Sequence, residues 1–243
     1  MAGRVPMSLL DLFVRPRRFF RERPGAFALG PVLAALLVAV VVLTVAYLAI
    51  GRLFAAELTA TTTVDNPNRP PDWHCANLPD DSPVTDRCDE PETLERREGA
   101  LLWEAWTGLV FAIPVGVGFG WLCYGVGLHL TSALFGGRGP ITRTFAVAAW
   151  GLLPVALGVA LAAVALALVL PAAAIPPDLE GLVDWLQTPT VSTATLAFGV
   201  ALSLWQGAVW YGGLTEARDL EPPSAALAAG AVVLVDVLWR LVL

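Results

Sequence analysis

Ala26–Ile50 reads AFALGPVLAALLVAVVVLTVAYLAI, and no charged residue interrupts it. At 1.5 Å per residue such a run outreaches the roughly 30 Å hydrocarbon core of a bilayer. It is too long for the apolar region of a signal peptide and ends without a convincing cleavage site, so it reads as a retained first helix. Four more apolar runs follow. The expected fold is all-α: a polytopic membrane protein, a bundle of five transmembrane helices with an N-terminal amphipathic arm. The spans fall near 26–51, 102–124, 145–170, 191–213 and 225–243. Residues 1–25 form the basic, aromatic arm, and 52–100 an acidic insertion in the first outer loop. No polar stretch is long enough to build a core of its own. The chain is 56% hydrophobic and 15% charged, which sets it apart from soluble domains.

Lysine is absent, all fifteen basic residues are arginine, and the formal net charge is −6. That composition suggests a GC-rich genome and suits an acidic, halophile-like exterior. It argues against nucleic acid as a partner, which needs a net basic binding face. The arginines are unevenly placed. Leu12–Gly25, LFVRPRRFFRERPG, sets Arg15, Arg17, Arg18, Arg21 and Arg23 around Phe13, Phe19 and Phe20. Arginine next to a span stays cytoplasmic. Alternating from there, Arg138, Arg143 and Arg218 fall on the same side, whereas the Pro171–Thr190 loop has acids and no arginine. The expectation is a cell-membrane protein with a cytoplasmic N-terminus and an outer C-terminus. These eight arginines are the candidate cytoplasmic interaction or lipid face, with anionic headgroups at the arm. The apolar residues of the arm are expected in the interface: a short amphipathic helix over Ser8–Val14, a break at Pro16, a second turn, and bilayer entry after Pro24.

The segment between the first two spans is acidic and proline-rich and lacks an apolar period, so irregular structure is expected there. Its Cys75 and Cys88, on an oxidising exterior, read as a disulfide. The alternative is a metal site of His74, Cys75, Cys88 and an Asp, although the spacing fits no standard zinc pattern. Pro176–Gln187, PPDLEGLVDWLQ, carries Leu179, Leu182, Val183 and Leu186 at helical spacing behind a proline and acids. It is expected to form a short surface helix.

Within the spans, Gly116 and Gly120 make a G-x-x-x-G pair, and Pro114 and Pro154 are expected to kink their helices. Intramembrane polar groups are few. Glu104, Gln206, Asp236 and Arg240 are the candidate cluster, with Asp236 and Arg240 four apart on one helix face and either acid placed to neutralise Arg240. A structural ion pair is the bland reading, a proton or ion pathway the sharp one. Gln206 is expected to bond across helices, His129 to sit at headgroup level, and Cys123 to be a buried thiol. No G-x-S-x-G, no H-E-x-x-H and no clustered carboxylates nominate a catalytic site, and no cofactor or metal is implied.

Three segments carry a family resemblance: the arm LLDLFVRPRRFF; LFGGRGPITRTFAVAAWGLLPVALG, a Gly-Gly loop leading into a helix with an internal proline; and YGGLTEARDLEPPSAALAAG, a polar loop between the last two spans. In this order, with five spans, the chain resembles prokaryotic members of the YIP family, the Ypt/Rab-interacting-protein type. The resemblance covers most of the chain outside 52–100. It implies a five-span membrane protein without catalytic residues. Eukaryotic relatives partner small Rab-type GTPases, a role that a prokaryotic member would lack the machinery to share. The function expected is therefore a non-enzymatic membrane-organising or protein-interaction component, with a membrane-protein partner or a second copy as contact. A small-solute or ion transporter or channel is the alternative.

Overall fold

The computed structural model describes residues 9–77, 79 and 85–242. Five helices are long and apolar enough to cross a membrane. They are α3 (Leu29–Glu57), α7 (Ala112–Leu134), α8 (Ile141–Val169, extended by a 3₁₀ turn to Ala172), α10 (Pro189–Ala217) and α11 (Pro222–Val242). The chain is thus an all-α polytopic membrane protein. Ser8, where the arm helix was expected to begin, and Leu243, the expected end of the last span, lie outside the described residues.

Large and small side chains divide between the two faces of each helix. On α3, Leu29, Leu33, Leu37, Val41 and Val45 recur every fourth residue and are exposed, whereas Val32, Ala35, Ala39 and Ala46 are buried. A water-soluble bundle would bury the large residues. In lipid, bulk outside costs nothing, and small residues inside let the backbones approach. α8 is the central helix and touches α3, α7 and α10. Its Ala146–Leu152 stretch is buried without interruption, as expected for a helix surrounded by others. Val32 packs with Ala146 and Ala149, and Ala39 with Leu152 and Ala156, so α3 and α8 run parallel. α10 runs back along α8, with Leu202 against Gly158 and Trp210 against Gly151, and α11 returns along α10, with Val233 against Gly207.

Several boundaries differ from the sequence expectation. The second span begins at Ala112. Residues before it form a separate helix, α6 (Glu98–Gly108), which packs on the end of α3. Tight i to i−3 turns over Leu109–Ile113 divide the two. Pro114 then falls in the first turn of α7, where a missing N–H is tolerated, and it breaks no helix interior. Pro154 lies inside α8, as expected. The insertion is not irregular throughout. β1 (Thr61–Asp65) and β2 (Thr93–Arg97) pair antiparallel, Thr61 opposite Arg97 and Asp65 opposite Thr93. Beyond them, the short helices α4 (Asp72–Cys75) and α5 (Thr85–Cys88) bring two cysteines together. The expected helix in the other loop at this end is α9 (Leu179–Gln187), capped by Asp178, whose carboxylate accepts from Gly181 N at 2.7 Å. Leu179 N donates to Glu98 and Ala60 N to Pro177 O, which ties α9 to the hairpin.

Candidate functional site

The N-terminal arm comprises α1 (Leu10–Val14), α2 (Pro16–Glu22) and a 3₁₀ turn over Pro24–Phe27. Arg15 and Arg23, each before a proline, share a non-helical backbone near φ −139°, ψ 60° and φ −129°, ψ 71°. A pre-proline residue is pushed out of the α region, so the two Arg-Pro steps fold the arm into three short pieces. The arm does not float in the interface as expected. Leu12, Phe19 and Phe20 are buried against Trp150 and Val209. Phe19 meets the Trp150 ring edge-on at 5.1 Å, and Phe20 stacks on Phe27 at 5.6 Å.

Two glycines of α10 make room for this docking. A Cβ on Gly212 would lie 2.5 Å from Arg17 N and 2.8 Å from Pro16 C, both backbone atoms. A Cβ on Gly213 would meet Val147 at 2.5 Å and Phe20 at 3.2 Å. Indole donors complete the attachment: Trp150 Nε1 donates to Ala26 O at 2.9 Å and Trp205 Nε1 to Phe13 O at 3.1 Å. Arg17 pairs with Glu216 at 3.7 Å.

The loop after α7 meets the same end. Gly136 (φ 84°) and Gly139 (φ 120°) hold left-handed backbone that favours glycine. Arg218 is buried beneath them. It donates to Gly139 O, to Gly137 O at 2.9 Å and to Ser132 Oγ at 3.1 Å, while Arg138 N donates to Arg218 O at 2.8 Å. Arg218 is therefore a clamp between two loops and not part of an exposed face. Burial pulls its pKa below the ordinary value, although a guanidinium stays charged at neutral pH. Sequence reasoning missed this role. The signal was a glycine-rich loop whose turns leave carbonyls unpaired, but nothing local says which arginine takes them.

What remains exposed at the arm end is a basic face. Arg15, Arg17, Arg21, Arg138 and Arg143 are exposed, and Arg18 and Arg23 half-buried. Arg23 lies over Phe19 at 5.1 Å, Arg143 over Phe27 at 5.7 Å, and Arg18 pairs with Glu22 at 3.0 Å. Exposed Leu9, Leu10 and Val14 flank it. The opposite end carries the acids of the hairpin and of α9.

The second candidate, the intramembrane cluster, assembles only in part. Asp236 accepts from Tyr124 Oη at 2.7 Å, from Ser203 Oγ at 2.5 Å and from Arg240 Nε at 3.0 Å, which joins α7, α10 and α11 at one carboxylate. Glu104 is absent from it. Its side chain is 65% exposed and pairs with Arg96 at 3.0 Å, because α6 stands on the hairpin side of the break before α7. Gln206 is buried on α10, and its Nε2, like Trp210 Nε1, has no hydrogen-bond partner among the described residues. The expected bond across helices is not made there. Cys123 is exposed on the outer face of α7, not buried. His129 is half-buried within α7, with Nδ1 3.4 Å from Thr144 Oγ1. Among the described residues, a Cβ on Gly116 would meet nothing within 4 Å, and one on Gly120 would meet Tyr124 of its own helix at 3.8 Å. Cys75 and Cys88 are joined, with Cα atoms 5.7 Å apart. Among the described residues, no three His, Cys, Asp or Glu side chains gather to hold a metal.

The three segments of the family resemblance converge in space. The arm rests on the glycine pair of Tyr211–Leu214, and the loop at 136–140 is clamped by Arg218 from that same last polar segment. No curated protein and no solved structure matches the chain. The family model of the Yip1 domain matches residues 10–243, so this integral membrane protein belongs to the YIP family.

Proposed function

We propose that the protein is a non-enzymatic membrane-organising component that holds a membrane-protein partner against the basic face of its arm end. The N-terminus is then cytoplasmic and the C-terminus outside, in the cell membrane. The docked arm carries this reading. An arm held by Trp150, Trp205 and the Gly212–Gly213 notch presents Arg15, Arg21, Arg138 and Arg143 on one pre-arranged surface. Pre-arranged groups lose less conformational entropy on binding than a loose tail would. The excess of arginine at this end also supports the orientation.

The test is capture of the tagged protein from native membranes in mild detergent, with identification by mass spectrometry. A variant with Arg15, Arg21, Arg138 and Arg143 changed to Gln runs beside it. Arg218 is left intact, because it clamps two loops together and does not belong to the exposed face. The expected result is a specific partner lost in the variant. Recovery of nothing but the protein itself in both samples sinks the reading.

One observation favours a transporter as the second reading: Asp236 and Arg240 line a recess of about 700 Å³ among α9, α10 and α11. Three donors already occupy the carboxylate, which suits a structural junction better than a proton carrier. Asp236→Asn separates the two. A transporter loses flux in liposomes while it stays folded, whereas a junction loses thermal stability with no flux to lose.

A further inference from the structure

The hairpin end is acidic, with one local exception. Between the last two turns of α3 and the length of α6 runs a groove of about 580 Å³. Arg52 of α3 and Arg96 and Arg97 of β2 enter it, against one acid, Glu104. Ala55, Ala56 and Ala100 form its floor and Trp103 a wall. The floor is narrow because the helices touch: a Cβ on Gly99 would lie 2.1 Å from Ala55 O.

The cations are unequally engaged. Arg96 is held by Glu104 at 3.0 Å, and Arg97 Nη2 donates to Leu58 O at 3.4 Å. Arg52 lies over the Trp103 ring at 5.6 Å and has no hydrogen bond or ion pair among the described residues. Each guanidinium has five N–H donors in a planar fork that suits phosphate oxygens. Arg52 keeps all of its own available, and Arg97 most of them.

Depth along the membrane helix says what reaches the groove. α3 carries no charge from Leu29 to Gly51, about 34 Å of helix against a hydrocarbon core of roughly 30 Å. Arg52 is the next residue, at the level of lipid phosphates. Tyr47, stacked on Trp106 at 4.6 Å, and Trp103 form the aromatic belt expected at that depth.

We propose that this groove binds the phosphate of an anionic phospholipid from the leaflet at the hairpin end. Arg52 and Arg97 grip the phosphate oxygens, and the alanine floor and Trp103 receive the glycerol and upper acyl carbons. Three arginines against one carboxylate leave an uncancelled positive charge, which selects lipids of net negative charge over zwitterionic ones.

The test is native mass spectrometry of the full chain, purified in detergent and titrated with phosphatidylglycerol, phosphatidylcholine or inorganic phosphate. Arg52→Gln/Arg97→Gln is the test variant, and Arg15→Gln/Arg21→Gln controls for lipid held at the other end. The expected result is a retained phosphatidylglycerol that the groove variant binds at least fivefold more weakly and the arm variant binds as before. Arg52→Gln alone, which removes no internal hydrogen bond, replaces the double variant if that fails to fold. Equal retention by wild type and groove variant overturns the proposal. So does equal retention of phosphatidylcholine, and so does protection by inorganic phosphate alone that matches the lipid, which would mark a soluble-anion site.

Discussion

The two ends of the bundle are held by opposite means. At the arm end, segments far apart in the chain meet where side chains are missing or buried: Gly212 and Gly213 admit the arm backbone, and Arg218 fills the space under a glycine loop. At the hairpin end, segments are fastened by added bonds: a disulfide, the β1–β2 ladder, and ion pairs such as Arg69 with Asp72 and Glu92. The first kind of attachment depends on close fit and fails as a unit. The second is modular, and one fastening can go without the rest. A partner-binding surface benefits from the first kind, since its geometry is then set by the bundle.

The most damaging change should therefore be at the arm end. Arg218→Met removes three hydrogen bonds from a charged donor, to the part-buried Gly137 O and Gly139 O and to the buried Ser132 Oγ, which together cost about 4 kcal/mol. Thermal unfolding in detergent reads this directly. Arg218→Lys should recover only part of the loss, because an ammonium cannot reproduce the guanidinium fork. Full rescue by lysine would show that charge, and not the clamp, matters at this position.

Gly212→Val comes next. Its first carbon meets backbone atoms of Pro16 and Arg17, which cannot swing aside as a side chain can. Overpacking of this kind costs about 2–3 kcal/mol. The arm should lift, and trypsin should cut after Arg17 and Arg18 at least tenfold faster. Gly116→Val is the matched control: nothing lies within 4 Å of its Cβ position, so neither stability nor cleavage should change in detergent.

Replacing Cys75 and Cys88 with Ser tests the modular end. Chain entropy for a loop of this size gives the cross-link about 3 kcal/mol of local stabilisation. The loss should stay local. Amide exchange should quicken around α4 and α5, while the melting temperature of the five-helix bundle holds. A bundle that melts earlier would show that the two ends are coupled.

What the sequence reveals and what it hides follow from the range of the interactions. Lipid contact is a property of each residue alone, so five apolar runs are visible at once. The α9 cap is local too, with Asp178 three residues from Gly181. The arm is different. Phe19 and Phe20 beside two prolines suit an interfacial helix until Gly212 and Gly213, far along the chain, open a notch for them. Arg218 reads as one more surface cation for the same reason: its acceptors lie in a loop some eighty residues earlier. Glu104 was misplaced by its neighbours. LLWEAWTG is apolar enough to pass for the start of a span, yet the turn after Gly108 puts it above the membrane helix.

That misplacement yields the smallest expected effect. If Glu104 neutralised Arg240 inside the bilayer, Glu104→Gln would strand a cation there and unfold much of the bundle. In the structure its partner is Arg96, its carboxylate is mostly in solvent, and the acid that pairs with Arg240 is Asp236. Exposed pairs contribute about 0–1 kcal/mol, so the melting temperature of Glu104→Gln should match wild type within error. Lipid retention should hold or rise, because the change removes the one acid that lines the Arg52 groove among the described residues. A clear fall in stability would return Glu104 to the membrane cluster and remove the distinction between α6, fastened from outside, and the spans it leads into.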